Sequence, residues 1–421
     1  MRWLLLAASF LLCACDNNGV FLMSTKEVVM NPLSEVKTRL AFECAHERFP
    51  GHPGQADILF QYARWLQKNN QLRRDETVNA EIERLYRVAS EHDHYKASIN
   101  LQNGSMRGDF TLHAGEYLRF SQRLIDADVA TGYYFLAIFL NRGAAGLKQD
   151  QDTALRYYRK AADEGSALAQ YYVGKKLVPK NIAPEVAFKM YQCAAEQGHG
   201  GAAVALGMHH KRMMNYQDAL KVFQLGVAAG NEVAALVLKE GFSNPLTSDR
   251  LNYLGQEKDI ERAERYKKIG SILSNYSYAN PTVPEINEIV PLPPAKLPPW
   301  DGNLQWLETR KANIPPEKPS EALIHKLAKE KVLDPATGKP MPGSPAFSKA
   351  NFPVMVCASG QPCPQSGYWK VMINSWEDHI QHFEEGEIMP TYLMVWTEYR
   401  PWPLRDKSMQ RQERVEWGLL G

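Results

Sequence analysis

Serines, histidines and cysteines are the residues here whose types could carry chemistry, and most of their spacings argue for structure instead. Ser359 and Ser366 lie beside glycines in a turn-rich stretch, without the strand-to-helix elbow that exposes a nucleophilic serine. No phosphate-cradling glycine loop and no His-Glu-x-x-His pair occurs. His379 and His382, with Asp378, have a spacing that could ligate a metal from one helix face, but a solvated helix over 376–383 bearing surface histidines is the simpler reading. His92, His94, His209 and His210 fall at turns and are read the same way, so no metal, no cofactor and no catalytic residue is expected. Cys357 and Cys363 bracket Ala-Ser-Gly-Gln-Pro, where Gly360 and Pro362 can reverse the chain. That arrangement predicts a local disulfide closing a hairpin loop, with a zinc-binding pair as the alternative. Cys44 and Cys193 lie on helical, partly apolar segments far apart and are read as buried thiols.

Cys15 has different surroundings. Arg2 precedes an apolar run from Trp3 to Leu12, and Ala14 stands just before the cysteine. The run is far short of the roughly 20 apolar residues that span a bilayer, and its order of charge, apolar stretch and small residue is that of a secretory signal. Leu12-Cys13-Ala14-Cys15 resembles the lipobox of bacterial lipoproteins, which implies a signal peptide over 1–14, lipid on Cys15 and a tether over 15–33. An ordinary cleaved signal is the alternative. By the same resemblance Asp16 is the sorting residue that retains a lipoprotein in the inner membrane of enteric-type bacteria, facing the periplasm. The outer membrane is the competing destination.

The 421 residues are 44% hydrophobic and 23% charged, ordinary proportions for globular domains. A formal charge of +2, with no cluster of Lys and Arg, gives no electrostatic footprint for nucleic acid.

The elements that would position any site are helices in repeat. Ala154, Tyr158, Ala161 and Ala162 fall on one helix face, and Gly165 stands where a left-handed cap is wanted. The pattern returns at Ala187, Met190, Tyr191, Ala194, Ala195 and Gly198, and more weakly at Ala219, Val222, Phe223, Val227 and Gly230. Upstream, similar segments end near Asp93 and Asp128. Steps of 35, 37, 33 and 32 residues from 93 through 230 indicate stacked helix pairs. First helices of the pairs show in Tyr133-Tyr134-Phe135-Leu136-Ala137, in Ala169 to Gly174 and in Ala203 to Gly207. The helix of Ala56, Leu59, Phe60, Ala63 and Leu66 caps the stack.

Residues 132–165, with Leu136-Ala137, Asn141-Arg142-Gly143, Gly146-Leu147, Asp150 and Ala154-x-x-Tyr157-Tyr158-Arg159-Lys160-Ala161-Ala162, resemble a Sel-one-like repeat, a relative of the tetratricopeptide repeat. The copies at 166–198 and 199–230 lack the Gly-x-x-Gly loop of Gly143 and Gly146 and its following aspartate, and those before 128 are degenerate. The resemblance implies an α-solenoid over 34–279 whose work is protein binding. In that frame Tyr134, Tyr171 and Tyr172 are either inter-repeat core or an exposed aromatic edge at an interface.

From 280 the helical pattern stops. Seven prolines between 281 and 299 keep the chain extended. Leu297, Trp300 and Trp306 are too apolar for a free linker, so a strap over 280–319 is expected to lie on the solenoid with Trp300 as anchor. A small α+β domain, 320–421, completes a mainly α chain: a helix from Ser320, then strands around 354–356, 368–373, 394–396 and 415–417. Within it, Cys363-Pro-Gln-Ser-Gly-Tyr368-Trp369, Gly386-x-x-Met389-Pro390 and Trp396 resemble a module of bacterial proteins encoded among type VI secretion effectors and their immunity proteins. Together with the lipoprotein signal this implies a membrane-tethered immunity protein that occludes a toxic effector, a lipase or phospholipase being the fitting class. Tyr368, Trp369, Trp300 and Trp306 join the tyrosines as candidate contact residues. An envelope scaffold or adaptor is the alternative reading.

Overall fold

The computed structural model describes residues 41–51, 54–178, 182–243, 245–347, 356–364, 366–372, 379–398 and 407–419. Cys15 and Asp16 lie outside the described residues. Twelve successive helices build the stack: α1 (Gly54–Asn70), α2 (Glu76–Glu91), α3 (Tyr95–Arg107), α4 (Ala114–Asp126), α5 (Thr131–Arg142), α6 (Gln151–Asp163), α7 (Ala167–Leu177), α8 (Pro184–Glu196), α9 (Gly200–Arg212), α10 (Tyr216–Ala228), α11 (Glu232–Phe242) and α12 (Ile260–Asn275). Each packs on the next in sequence.

The repeat is set at the ends of its second helices. Gly165, Gly198 and Gly230 all take φ between 82° and 108°, and Asp93 and Asp128 hold the same left-handed position with φ of 58° and 56°. Aspartate tolerates this backbone better than most residues with a Cβ, which is why the upstream repeats close without glycine. The next helix then starts on a side-chain cap: the His94 and His199 rings and the Ser166 and Asn231 oxygens accept from backbone N–H groups of α3, α9, α7 and α11. Inside each pair, small residues let the helices close. A Cβ added at Gly174 would meet the Tyr191 ring at 2.6 Å, and one at Gly207 would meet the Phe223 ring at 2.6 Å, the same contact one repeat on.

A segment without regular secondary structure, 42–51, runs along the edge where these turns lie. Ala130 has no side chain to cap α5, and Glu47 supplies the cap instead, accepting from Thr131 N at 2.5 Å and from Thr131 Oγ1 at 3.0 Å. Burial pushes the Glu47 carboxyl up, against the pull of those two bonds. Ala45 O accepts from Gln170 Nε2 at 2.9 Å, and Glu47 N donates to Gln197 Oε1 at 3.0 Å. The segment is held covalently as well: Cys44 and Cys193 form a disulfide across 149 residues. This corrects the expectation for the cysteines. Local pattern placed Cys193 on a buried face, which it occupies, but the exposed Cys44 comes to it from a segment that is not helical.

Cys357 and Cys363, the expected disulfide, are not bonded to each other; both side chains are buried in the core of the β module. Their loop does reverse the chain, with Gly360 at φ 88°, but backbone pairing closes it: Gly360 N donates to Met389 O at 2.7 Å and Cys363 N to Glu387 O at 2.7 Å. Burial raises the Cys357 thiol above its ordinary range, with the neighbouring Cys363 adding to the effect.

The proline segment binds the far end of the stack. Prolines offer carbonyls without N–H groups, so their acceptors need outside donors. Arg265, buried on α12, donates to Ile289 O at 2.7 Å and Pro298 O at 2.7 Å, and Arg262 donates to the carbonyls of Pro291 and Ala295. Val283 N reaches back to Ala228 O at 2.9 Å, and a side chain at Gly230 would collide with the Pro281 carbonyl. A short helix, α13 (Ile286–Ile289), and α14 (Gln305–Ala312) continue the segment. Arg310 then donates to Lys68 O at 3.0 Å and Trp65 to Asn313 O at 3.4 Å, both on or beside α1.

The helix α15 (Glu321–Glu330) does not belong with the β module, as the boundary at 320 supposed. Ile324, Leu327, Ala328 and Leu333 complete the core of α1–α4. Arg84 on α2 salt-bridges Glu321 at 2.6 Å and donates to Pro335 O at 2.6 Å, and His92 bonds Leu327 O at 2.9 Å. Residues 280–341 therefore connect the last helix pair of the solenoid to the first.

Among the described residues six strands follow: β1 (Val356–Ala358), β2 (Gly367–Val371), β3 (Ile380–Phe383), β4 (Tyr392–Glu398), β5 (Lys407–Glu413) and β6 (Glu416–Leu419). The first sheet runs β1-β6-β2-β3, all neighbours antiparallel, and β4 and β5 form a separate antiparallel pair. Residues 380–383 are thus strand, where a helix over 376–383 was expected; 376–378 fall outside the described residues. Trp369, Phe383, Val371, Met389 and Trp417 fill the core. Among the described residues no helix is long and apolar enough to cross a membrane.

Candidate protein-binding site

The aromatic residues of the repeats form a chain from one helix pair to the next. Tyr134 on α5 meets Tyr158 on α6 edge-on at 5.7 Å, and Tyr158 stacks on Tyr172 of α7 at 3.9 Å. Tyr171 lies 5.7 Å from Tyr191 of α8 and 4.4 Å from the His199 ring. Tyr134, Tyr171 and Tyr172 are each half-buried and make ring contacts between successive helices, as the inter-repeat reading expects. Desolvation raises the hydroxyls of Tyr134 and Tyr191, the latter to about 12, and lowers the His199 imidazole. These groups stay neutral near pH 7. Lys175 and Lys176 stand 5.6 and 5.5 Å over Tyr171 and Tyr172 and put positive charge along the open edge.

The β module meets this row at its first repeat. Ile380 N donates to Gly146 O at 3.2 Å, and Leu147, buried in the turn between α5 and α6, forms an isolated parallel bridge with Ile380. His382, one position past Gln381, presents its ring edge to Tyr157 at 6.3 Å, while Tyr157 stacks with Tyr133 at 6.3 Å. Burial lowers the His382 imidazole, outweighing the opposing fields of Glu384 and Glu387.

Between the two walls is a cleft of about 1070 Å³. One wall carries Tyr133, Arg156, Tyr157 and Lys160; the other carries His382, Glu384 and Glu387; Asp150 and Asp152 sit at its helical end. Asp150 is the N-cap of α6, held by Thr153, and those bonds lower its carboxyl. Aromatic rings flanked by charges of both signs suit a peptide surface better than one small charged ligand. Among the described residues that line the cleft there is no serine or cysteine. Ser359 Oγ is engaged elsewhere, with Pro390 O at 2.8 Å and Val415 O at 3.0 Å, and Ser366 Oγ donates to Glu384 at 3.0 Å.

The other candidate contact residues go elsewhere. Trp369 is fully buried in the β core and offers no surface, which corrects its place among the contact residues. Tyr368 pairs across β2 and β3 with His382. Trp300 lies beneath Arg265 and Lys268, with ring distances of 5.8 and 5.5 Å, and Trp306 packs against Tyr276 at 5.6 Å. Both tryptophans hold the strap to α12. The sequence reading did not connect Tyr157, Lys160 and His382. The first two flank the buried stripe of α6, but nothing local says that a strand more than two hundred residues on would face them.

The Sel1 repeat family matches residues 130–166 and 167–199. The chain carries Sel1 repeats. The match covers α5 through α8, so the aromatic row and one wall of the cleft are Sel1 surface. A second family, described as a domain of unknown function (DUF6396), matches residues 234–341. That segment begins in α11 and ends past α15, so it crosses the boundaries drawn at 279 and 319. Among solved structures, the chain is similar to the immunity protein PA5088 from Pseudomonas aeruginosa, with 25% identity, a TM-score of 0.47, and coverage of 60% of this chain and 94% of that one. It is similar to the immunity protein Pa5087 of the same organism at 25% identity, TM-score 0.46, covering 60% and 95%. A Sel1 repeat protein from Oxalobacter formigenes aligns at 17% identity and TM-score 0.36, covering 49% and 86%. Comparison with curated proteins finds no match.

Proposed function

We propose that this protein is an immunity lipoprotein that binds a toxic effector, probed first as a phospholipase, and occludes its active site from the periplasmic face of the inner membrane. The observation that carries the binding part is the mixed aromatic and charged cleft, built jointly by the first Sel1 repeat and the β module. Inhibition by occlusion asks for no catalytic group, only for an interface of about 1,600 Å² with aromatic anchors near its centre. The half-buried tyrosine row extends the cleft toward such an area. Tethering draws support from the lipobox-like segment ending at Cys15, and an oxidising compartment from the Cys44–Cys193 disulfide. Lipid on Cys15 would hold the cleft near the surface a phospholipase attacks.

The test co-expresses the protein with candidate phospholipase effectors from the same genome, sent to the periplasm. Rescue of growth by the wild type, and its loss with Tyr157→Ala/Lys160→Glu, supports the reading. No rescue and no complex would end it. Rescue that survives Cys15→Ala would remove only the tether.

A further inference from the structure

The disulfide that fastens the N-terminal segment has two further donors beside it. His46 is two residues after Cys44, and Glu196 three after Cys193. Donor atoms of Cys44, His46 and Cys193 all lie within 4.8 Å of one another, and His46 Nε2 is 3.7 Å from Glu196 Oε2. Zinc bonds of about 2.3 Å to sulfur and 2.0–2.2 Å to nitrogen or oxygen, in a tetrahedron, put neighbouring donors about 3.3–3.8 Å apart. The nitrogen–oxygen pair already stands at that separation. The two sulfurs must part and the half-exposed Glu196 carboxylate, which stands outside that 4.8 Å group, must swing toward them; Cys44 can give way because it is exposed and lies outside the helices.

We propose that, when the Cys44–Cys193 disulfide is reduced, Cys44, His46, Cys193 and Glu196 form a tetrahedral site for one zinc ion. A dithiol supplies two electrons and two protons and is itself oxidised to a disulfide, leaving two cysteine thiols. Zinc then displaces both thiol protons to solvent and takes two thiolates, a neutral imidazole and a carboxylate. Disulfide and zinc are therefore alternative staples for one segment. Either keeps residues 44–47 on the Sel1 repeats, where Glu47 caps α5. The carboxylate and imidazole are half-exposed, which leaves an entry path for the ion.

The experiment uses the full protein, oxidised or reduced anaerobically with a phosphine, titrated with zinc against a chromophoric chelator. The reduced protein should take one zinc per chain at this site and the oxidised protein none. Cys193→Ser should abolish the uptake, while Cys357→Ser/Cys363→Ser should leave it. His46→Ala keeps the disulfide, so its folding is verified in the oxidised form, and it should weaken zinc binding at least tenfold after reduction. Cobalt in place of zinc should give the absorption of a tetrahedral thiolate centre. Equal zinc uptake by reduced wild type and Cys193→Ser, or uptake that follows Cys357 and Cys363, would overturn the proposal.

Discussion

Opening the Cys44–Cys193 disulfide should loosen the N-terminal segment and the repeats beneath it. The bond closes a loop of 149 residues. Chain-entropy arithmetic for a loop of that length gives about 5 kcal/mol at 25 °C, against the 2–4 kcal/mol that such removals typically cost. Part of the loop's stability is independent of the bond: Glu47 still caps α5, and Gln170 and Gln197 still hold the backbone of 45–47. A Cys44→Ser/Cys193→Ser variant is therefore expected to lose about 2–5 kcal/mol. At a urea slope of about 3 kcal/mol per M, this moves the midpoint down by about 1 M. Because repeat arrays open locally, the loss should be concentrated where the segment lies. Hydrogen exchange at Thr131 and Gln170 should rise more than at α11 or α12. The comparison is made by urea titration and exchange mass spectrometry without zinc. Coincident midpoints with unchanged protection at Thr131 would refute the reasoning, since a staple of this reach cannot then be restraining the unfolded chain.

Three further outcomes follow from other parts of the structure. Arg87, buried on α2, pairs with Glu116 and with Glu83 at 2.8 Å and donates to Thr111 O. Arg87→Met leaves Glu116 buried without its cation and should cost about 3–5 kcal/mol, less when combined with Glu116→Gln. Burial pushes the Glu116 carboxyl up, but the bond and charge of Arg87 together bring it below 4.5. Its contribution is therefore complete above the unfolded value and lost as pH falls through the folded one, which melts between pH 6 and 3 will register as a steeper acid loss in wild type than in the double variant. Gly174→Ala drives a methyl into the Tyr191 ring and should cost about 1–3 kcal/mol, read as a lower midpoint; a neutral result would mean the α7–α8 approach is looser than described. Tyr157→Ala/Lys160→Glu changes partly exposed groups, so it should leave the melting midpoint nearly unchanged while weakening partner binding at least tenfold by calorimetry.

The solenoid was legible because its signals are local. Small residues at helical spacing mark the buried face, and Gly165, Gly198 and Gly230 mark the left-handed turn. Asp93 and Asp128 were placed at repeat ends for the same reason. What stayed hidden depends on long-range pairing. Cys193 advertises burial but not a partner 149 residues earlier. The apolar face of α15 tells that it packs, not that it packs on α2 rather than on the strands that follow it. β5 reads Lys-Ser-Met-Gln-Arg-Gln-Glu and carries no apolar alternation; among the described strands it pairs with β4 alone. Residues around 379–383 show both helical and alternating spacing, and the sheet decided between them. The cleft is legible by halves: its aromatic wall lies within the repeat motif, while its acidic wall depends on where the β module docks.

The central claim is that the Sel1 cleft and its tyrosine edge bind one toxic partner. Its most direct test is size-exclusion chromatography of this protein with a purified candidate phospholipase effector from the same genome, followed by the effector's activity on phospholipid vesicles. The account predicts a stable complex in which activity is lost, and in which Tyr157→Ala/Lys160→Glu restores activity at equal concentration. Separate elution of the two proteins with undiminished activity would contradict it.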